Sequence, residues 1–231
     1  MSSLDAPRGA PHRTKQAFVY RTLHDAISTC EIKPGERLII DDLARRLQVS
    51  AIPVREALQV LQSEGLVITV PHVGATVAPV SRDSIVDVFT VLEGLESVAC
   101  RAAAERATSE DVEGLGSLVE RMDRVVAAGN FEGWPELNAE FHLRISAMTG
   151  LPMLQEMTAR VLDRWNRVRR FFFADVLLLR VVKAQEEHRL MIEAFRHRNV
   201  ERLVTLVRQH NHSALVAYMN HLESLTPAAS V

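Results

Sequence analysis

A chain of 231 residues with 47% hydrophobic and 24% charged residues has room for two globular domains, and its scarce aromatics (5%) leave Leu, Val and Ala to favour helices. The net charge of -2 announces no polyanion partner, and residues 1–80 carry nine Lys/Arg against eight Asp/Glu, so a nucleic-acid reading has to rest on local pattern. Cys30 and Cys100 have no metal-motif partner and read as free thiols; with no signal peptide or 18-residue apolar span, a cytoplasmic protein without membrane contact is expected.

Residues 1–14 are polar, rich in Pro and Gly and without period, and are expected to be a disordered tail. A first helix is predicted from Lys15 to Thr29, with Phe18, Val19, Leu23, Ala26 and Ile27 as its buried stripe. Lys33-Pro34-Gly35-Glu36 is a turn and Arg37–Ile40 a short extended piece. Asp41 then reads as the N-cap of a helix through Leu43, Ala44 and Leu47. Ser50 is a natural N-cap for the next helix, and Pro53 falls in its first turn, where an N–H is not needed. That helix places Val54, Ala57, Leu58 and Leu61 on one face and Arg55, Gln59 and Gln62 on the other. Gly65 stops it, and Leu66–Val70 with Ala75–Val80 read as a hairpin around Pro71-His72-Val73-Gly74. Helix, tight turn, capped second helix and hairpin are the layout of a winged helix-turn-helix DNA reader over residues 15–80.

The wording of that module resembles the GntR family of bacterial transcription factors. The resemblance is carried in uninterrupted order by Leu23–Ile27, Pro34-Gly35, Leu38, Leu43-Ala44, Val49-Ser50, the run Pro53-Val54-Arg55-Glu56-Ala57-Leu58, Leu61, Glu64-Gly65-Leu66-Val67 and Gly74. It implies that Arg55 lies on the groove face of the recognition helix, and that the wing tip enters the minor groove with His72 and Gly74 nearest the backbone. Arg45, Ser50, Ala51, Pro53 and Gln59 complete the expected DNA-binding set. Ala51 is a departure, because the family usually has a DNA-contacting arginine directly after the helix-opening serine. Loss of a bidentate base contact removes roughly 1–3 kcal/mol of discrimination at one position. The plain alternative for Arg55 and Glu56 is an ordinary solvated pair on a surface helix.

From Ser81 onward the period is helical throughout. Six segments are predicted: Ser81–Arg106, Ser109–Ala128, Phe131–Thr149, Leu151–Phe173, Val181–His197 and Val200–Ser224. Residues 174–182 read either as a continuation of the fourth segment or as a bend, and 227–231 as a tail. The fold class is therefore mainly α: an N-terminal winged helix-turn-helix and a C-terminal all-α bundle of six to seven helices over 81–226. Within the bundle, His142 follows Asn138 by one helical turn, His188 shares a stripe with Ala184, Met191, Ile192 and Phe195, and His210 belongs to the stripe of Leu203, Leu206 and Val207. His212 lies off that stripe. Three inward imidazoles and an amide on three helices can converge on one metal ion; each taken alone reads first as a satisfied core histidine, and the case for a site is their joint placement.

Asn138-xx-Phe141-His142, Glu187-His188-Arg189 with Ile192 and Ala194, and His210 resemble the FCD effector domain of the fatty-acid-regulator subfamily of GntR proteins, over roughly residues 83–222. The resemblance implies a divalent metal, zinc or nickel, held by Asn138, His142, His188 and His210, and a small carboxylate effector bound with its help. It also implies that Asn138 stands where an acidic ligand often occurs, and that Leu92 replaces an arginine usual four residues before Glu96. Arg164 and Arg167 on the fourth segment are the candidate substitutes for effector binding; Arg164 shares a stripe with Met157, Val161 and Val168 that reaches the interior. The expected protein is a homodimeric repressor on a palindromic double-stranded DNA operator, released by an organic acid, and not an enzyme. Two alternatives remain at this point: a metal-dependent hydrolase fused to a DNA-binding module, and a constitutive DNA-binding dimer with a purely structural bundle.

Overall fold

The computed structural model describes residues 15–172, 176 and 178–225. The expected tails at 1–14 and 227–231, and part of the bend expected within 174–182, lie outside the described residues. The chain divides between Pro79 and Val80 into two compact units.

The first unit is built from α1 (Lys15–Ser28), α2 (Ile40–Leu47), α3 (Ala51–Ser63), β1 (Val67–Val70) and β2 (Gly74–Val77). Helices α1 and α2 both pack on α3, over a core of Val19, Leu23, Ile27, Leu43, Val54, Ala57, Leu58 and Leu61. The α3 face expected to be buried is the buried face. Phe18 is a correction: it is 46% exposed, because the α1 stripe runs straight down Val19, Leu23 and Ile27, one residue to its side. Asp41 is another. Helix α2 starts at Ile40 with Ile39 in the cap position, so Asp41 and Asp42 sit in the first turn, where their charge meets the positive end of the helix. Ser50 does occupy the α3 cap position, yet its hydroxyl makes no cap hydrogen bond. The physical reason is Pro53: it is the third helical residue, where a cap side chain ordinarily finds an N–H, and it has none.

Helix α3 ends at Gly65 (φ +73), whose left-handed backbone lets Leu66 N donate to Leu61 O and Gly65 N to Gln62 O. The chain leaves this stop directly into β1, which pairs antiparallel with β2 in the register Val67 with Val77 and Val70 with Gly74. The second strand is shorter than expected, ending at Val77. The extended piece at Arg37 joins the sheet through a bridge to Thr76, with Leu38 N donating to Ala75 O and Val77 N to Glu36 O. The wing tip turns through two left-handed residues, His72 (φ +63) and Gly74 (φ +98).

The second unit comprises α4 (Arg82–Arg106), α5 (Ser109–Ala127), α6 (Trp134–Met148), α7 (Pro152–Phe171), α8 (Leu178–Arg196) and α9 (Val200–Leu225), with a single 3-10 turn, Phe131–Gly133, ahead of α6. The six predicted segments are these six helices; α8 begins three residues earlier than expected. Helix α4 is central and packs on α9, α7 and α6, while α5 packs on α6 and α8, and α8 on α9. Reciprocal caps set two of the entries. Ser81 and Ser84 exchange side-chain and backbone bonds at α4, and Thr108 does the same with Asp111 at α5. The Thr108 amide holds the Asp111 carboxyl below the usual aspartate range.

Two apolar cores share the long helices. One takes Ala99, Cys100 and Ala103 of α4 with Phe141, Met191, Leu203 and Val207. The other takes Ile85, Phe89 and Leu92 of α4 with Leu162, Trp165, Val168 and Tyr218. Along α4 the changeover falls at Glu96, and along α9 at His210 and Asn211, so a polar seam lies where the two cores meet.

Thr108→Ala removes the α5 capping box and should lower the bundle's stability by about 1 kcal/mol; tryptophan-monitored urea unfolding should show an earlier midpoint at unchanged slope. Gly74→Ala meets no atom within 4 Å, so its whole effect is the left-handed backbone, about 1–2 kcal/mol of local destabilisation. Amide exchange of the hairpin should quicken accordingly, and unaltered exchange would refute that account.

Candidate metal centre and nucleic-acid interface

Burial sorts the α3 residues cleanly. Arg55 and Gln59, one turn apart, are exposed on the face opposite the core, with Gln62 continuing the line and accepting from Thr69 Oγ1 at 3.3 Å. Ile52 is 65% exposed on the first turn, an apolar group on the outer surface that the sequence pattern did not single out. Ser50 is exposed and Ala51 half-buried at the helix start, and His72 and Gly74 are exposed at the wing tip. Arg45 is exposed on α2 and pairs with Asp42 at 3.0 Å. Pro53 is a correction: it is buried against the core and takes no part in the outer face.

In the bundle the three histidines do meet. His142 of α6, His188 of α8 and His210 of α9 are all buried, with ring centroids 4.9–5.6 Å apart. One ring nitrogen from each lies within 4.8 Å of the others. Each imidazole is held from behind. His142 Nδ1 sits 2.8 Å from Glu96 Oε1, His210 Nδ1 is 2.8 Å from Glu187 Oε2, and His188 Nδ1 is 3.2 Å from Gln185 Oε1.

Those partners decide the tautomers. Carboxylates only accept, so the Nδ1 atoms of His142 and His210 carry the proton. Gln185 is itself pinned: its Nε2 donates to Val119 O at 2.9 Å, and its Oε1 accepts from Trp134 Nε1 at 3.2 Å. An indole nitrogen can only donate, so Gln185 presents oxygen to His188, and His188 too is protonated at Nδ1. In each ring Nε2 is the nitrogen turned away from that partner. Among the described residues, His188 Nε2 is buried with no partner, and so is Asn138 Oδ1. Such orphans cost about 1–3 kcal/mol each unless something else satisfies them.

Burial, and then the positions of His210 and His142, push His188 well below the usual histidine range. Burial likewise lowers His210, against the pull of Glu187. Burial pushes the carboxyl of Glu96 up, but His142 and Asn211 outweigh it and hold the group below the usual range; His210 and Arg180 do the same for Glu187. Imidazoles held at Nδ1 by ionised carboxylates and an amide oxygen offer Nε2 as the donor atom that a divalent ion needs. Tetrahedral nitrogens about 2.0–2.1 Å from a common ion are roughly 3.4 Å apart, so rings whose nitrogens lie within 4.8 Å of one another would draw together on binding. These residues fit a metal, and Asn138 adds a neutral oxygen.

Sequence reading missed the backing residues. Glu96 is buried and also accepts from Asn211 Nδ2 at 2.7 Å. Glu187 is buried between His210 and Arg180. A histidine one residue after a glutamate gave no hint of this, because Glu187 meets His210 from another helix. A cavity of about 30 Å³ opens beside the site, walled by Trp134, Asn138, Trp165, Arg180, His210 and Tyr218 among others. Arg164 does not reach it. The buried stripe of α7 runs through Leu154, Thr158, Leu162 and Trp165, which turns Arg164 to the exposed side and corrects the expected inward course. Arg167 is buried on α7 but is not part of the cavity wall. Leu92 is packed in the second core.

Residues 15–77 match the family model for bacterial regulatory proteins, gntR family, and residues 87–213 match that of the FCD domain. The HTH-type transcriptional regulator McbR of Escherichia coli (strain K12) is 27% identical over 183 residues, covering 79% of this chain and 83% of that protein. The HTH-type transcriptional repressor GlaR of the same organism is 28% identical over 198 residues, 83% of this chain and 90% of that protein. Among solved structures, E. coli McbR/YncC superposes with a TM-score of 0.72 at 24% identity, over 90% of this chain and 99% of that one. A putative transcriptional regulator GntR from Rhodococcus sp. RHA1 reaches 0.72 at 20% identity, over 92% and 100%. At these identities the two structures speak for the fold alone. The family match sets aside the hydrolase reading. With an exposed reader helix and wing in one unit and a helical FCD bundle in the other, the chain belongs to the gntR family of bacterial regulatory proteins and is a DNA-binding transcriptional regulator, not an enzyme.

Proposed function

We propose that the protein is a homodimeric repressor that reads a palindromic operator and lets go of it when a small organic acid enters the FCD bundle. The observation that carries this reading is the set of three buried imidazoles, each held at Nδ1 by a partner, with one ring nitrogen apiece within 4.8 Å of the others beside a cavity. His142, His188, His210 and Asn138 hold a divalent metal, zinc or nickel, which when bound supplies a Lewis-acidic position for an effector oxygen. Glu96, Glu187 and Gln185 orient the rings. The cavity beside His210 excludes bulk water from the effector.

On the DNA side, Arg55 and Gln59 read base edges in the major groove. Ser50, with its hydroxyl unspent on capping, serves a phosphate at the start of α3, where Ala51 lets the backbone approach. Arg45 approaches the phosphates from α2, and His72 and Gly74 bring the wing against the minor groove. Pairing of two copies follows from charge: nine basic against eight acidic residues in 1–80 give one copy little hold on a polyanion. Repression is in keeping with GlaR, a relative that is a transcriptional repressor.

Random-site selection with the purified protein should return an inverted repeat. Arg55→Ala should weaken binding to the selected site about 10- to 100-fold and relax one base position in each half-site. Selection of no common sequence, or full affinity in Arg55→Ala, would sink the DNA reading. For the bundle, wild-type protein should take up one zinc ion per chain in competition with a chromophoric chelator. Glu96→Gln, which presents an N–H to either His142 or Asn211, should lower that affinity about 10-fold or more. A bundle that binds no divalent ion defeats the metal reading while leaving DNA recognition intact.

A further inference from the structure

The cavity beside the histidines contains a cation that neither composition nor resemblance pointed to. Arg180, in the first turn of α8, is almost buried, with its side chain 11% exposed. Its Nη2 is engaged by Glu187 Oε2 and by His210 O, the latter at 3.2 Å. A guanidinium carries five N–H donors. The remaining three, on Nε and Nη1, are buried and have no acceptor among the described residues. Arg180 lines the same cavity as Asn138, whose Oδ1 is also buried without a partner.

We propose that Arg180 is the anion anchor of this cavity, holding the carboxylate of a small monocarboxylic acid against the wall formed by Asn138 and His210. The inference rests on the effector reading above and gives it a recognition residue. Three considerations support it. Leaving three buried charged donors without acceptors is costly, and a carboxylate oxygen is the acceptor that offsets most of that cost. Charge balance selects a monoanion. Glu96 and Glu187 bring two negative charges and Arg180 one positive, so with a divalent ion in the histidine site the seam carries a net single positive charge. Finally, the walls select the body of the ligand. Trp165, Tyr218, Trp134 and Ala184 are apolar or aromatic, and about 30 Å³ of space admits a short acid rather than a long one.

Both tryptophans of the chain, Trp134 and Trp165, line the cavity, so intrinsic fluorescence reports its contents without a label. The test titrates zinc-loaded full-length protein with acetate and, as the neutral isostere, acetamide. Zinc affinity is measured separately on each variant. Wild type should respond saturably to acetate and not to acetamide. Arg180→Gln should weaken acetate binding about tenfold or more, Arg180→Lys should recover part of the loss, and any loss of zinc affinity through Glu187, which Arg180 also holds, should be clearly smaller than the loss for acetate. An equal response to acetamide, no saturable acetate response in the zinc-loaded wild type, unchanged acetate affinity in Arg180→Gln, or a loss matched by an equal loss of zinc would each overturn the proposal. Failure of the wild type to take up zinc is a separate outcome. It refutes the metal reading, and acetate binding that still depends on Arg180 would then leave the anchor standing.

Discussion

A buried polar group needs a partner, and much of the bundle's interior is arranged by that requirement. Three imidazoles, two carboxylates, three carboxamides and a guanidinium occupy the seam between two apolar cores. Their partners come from different helices: Glu96 of α4 meets His142 of α6 and Asn211 of α9, and Glu187 of α8 meets His210 of α9. Gln185 of α8 bonds to the α5 backbone and to Trp134 of α6. Each of these contacts restrains a helix relative to a neighbour as well as a side chain. Moving one ring therefore disturbs helix packing, which is how a small ligand can be felt across a bundle.

The same arrangement leaves part of its capacity unspent. Among the described residues, His188 Nε2, Asn138 Oδ1 and two nitrogens of Arg180 are buried without partners. At about 1–3 kcal/mol for each unsatisfied group, this is a stability cost that an apolar core would avoid. Other such atoms lie elsewhere, Ser28 Oγ and Arg169 Nε among them, but these four belong to the polar seam or to the cavity beside it. A ligand that satisfied them would stabilise the bundle and could so shift its equilibrium.

The DNA-reading unit works under a different constraint. Its fold is local: α1 and α2 bury one stripe each on α3, and a left-handed glycine sends the chain straight into the hairpin. Pro53 shows the economy of the design. By removing the N–H that a capping serine would use, it leaves the Ser50 hydroxyl exposed at a helix N-terminus. Buried Pro53 shapes the face without belonging to it.

Periodicity, caps and turn residues in the sequence determined the elements. The α3 stripe of Val54, Ala57, Leu58 and Leu61, the stop at Gly65, the hairpin and the six bundle helices were all readable, because each depends on neighbours within a turn or two. The inward course of His142, His188 and His210 was readable for the same reason. What tertiary structure decided was which faces meet. The exposure of Phe18 and Arg164, and the burial of Glu187 and Arg180, turn on a small rotation of a stripe or on a partner from another helix. The backing of each imidazole was equally invisible, since Glu96 and His142 are far apart along the chain and their pairing exists only once α4 and α6 are packed. A sequence can place a histidine on an inner face; only the packed bundle decides which of its nitrogens is free.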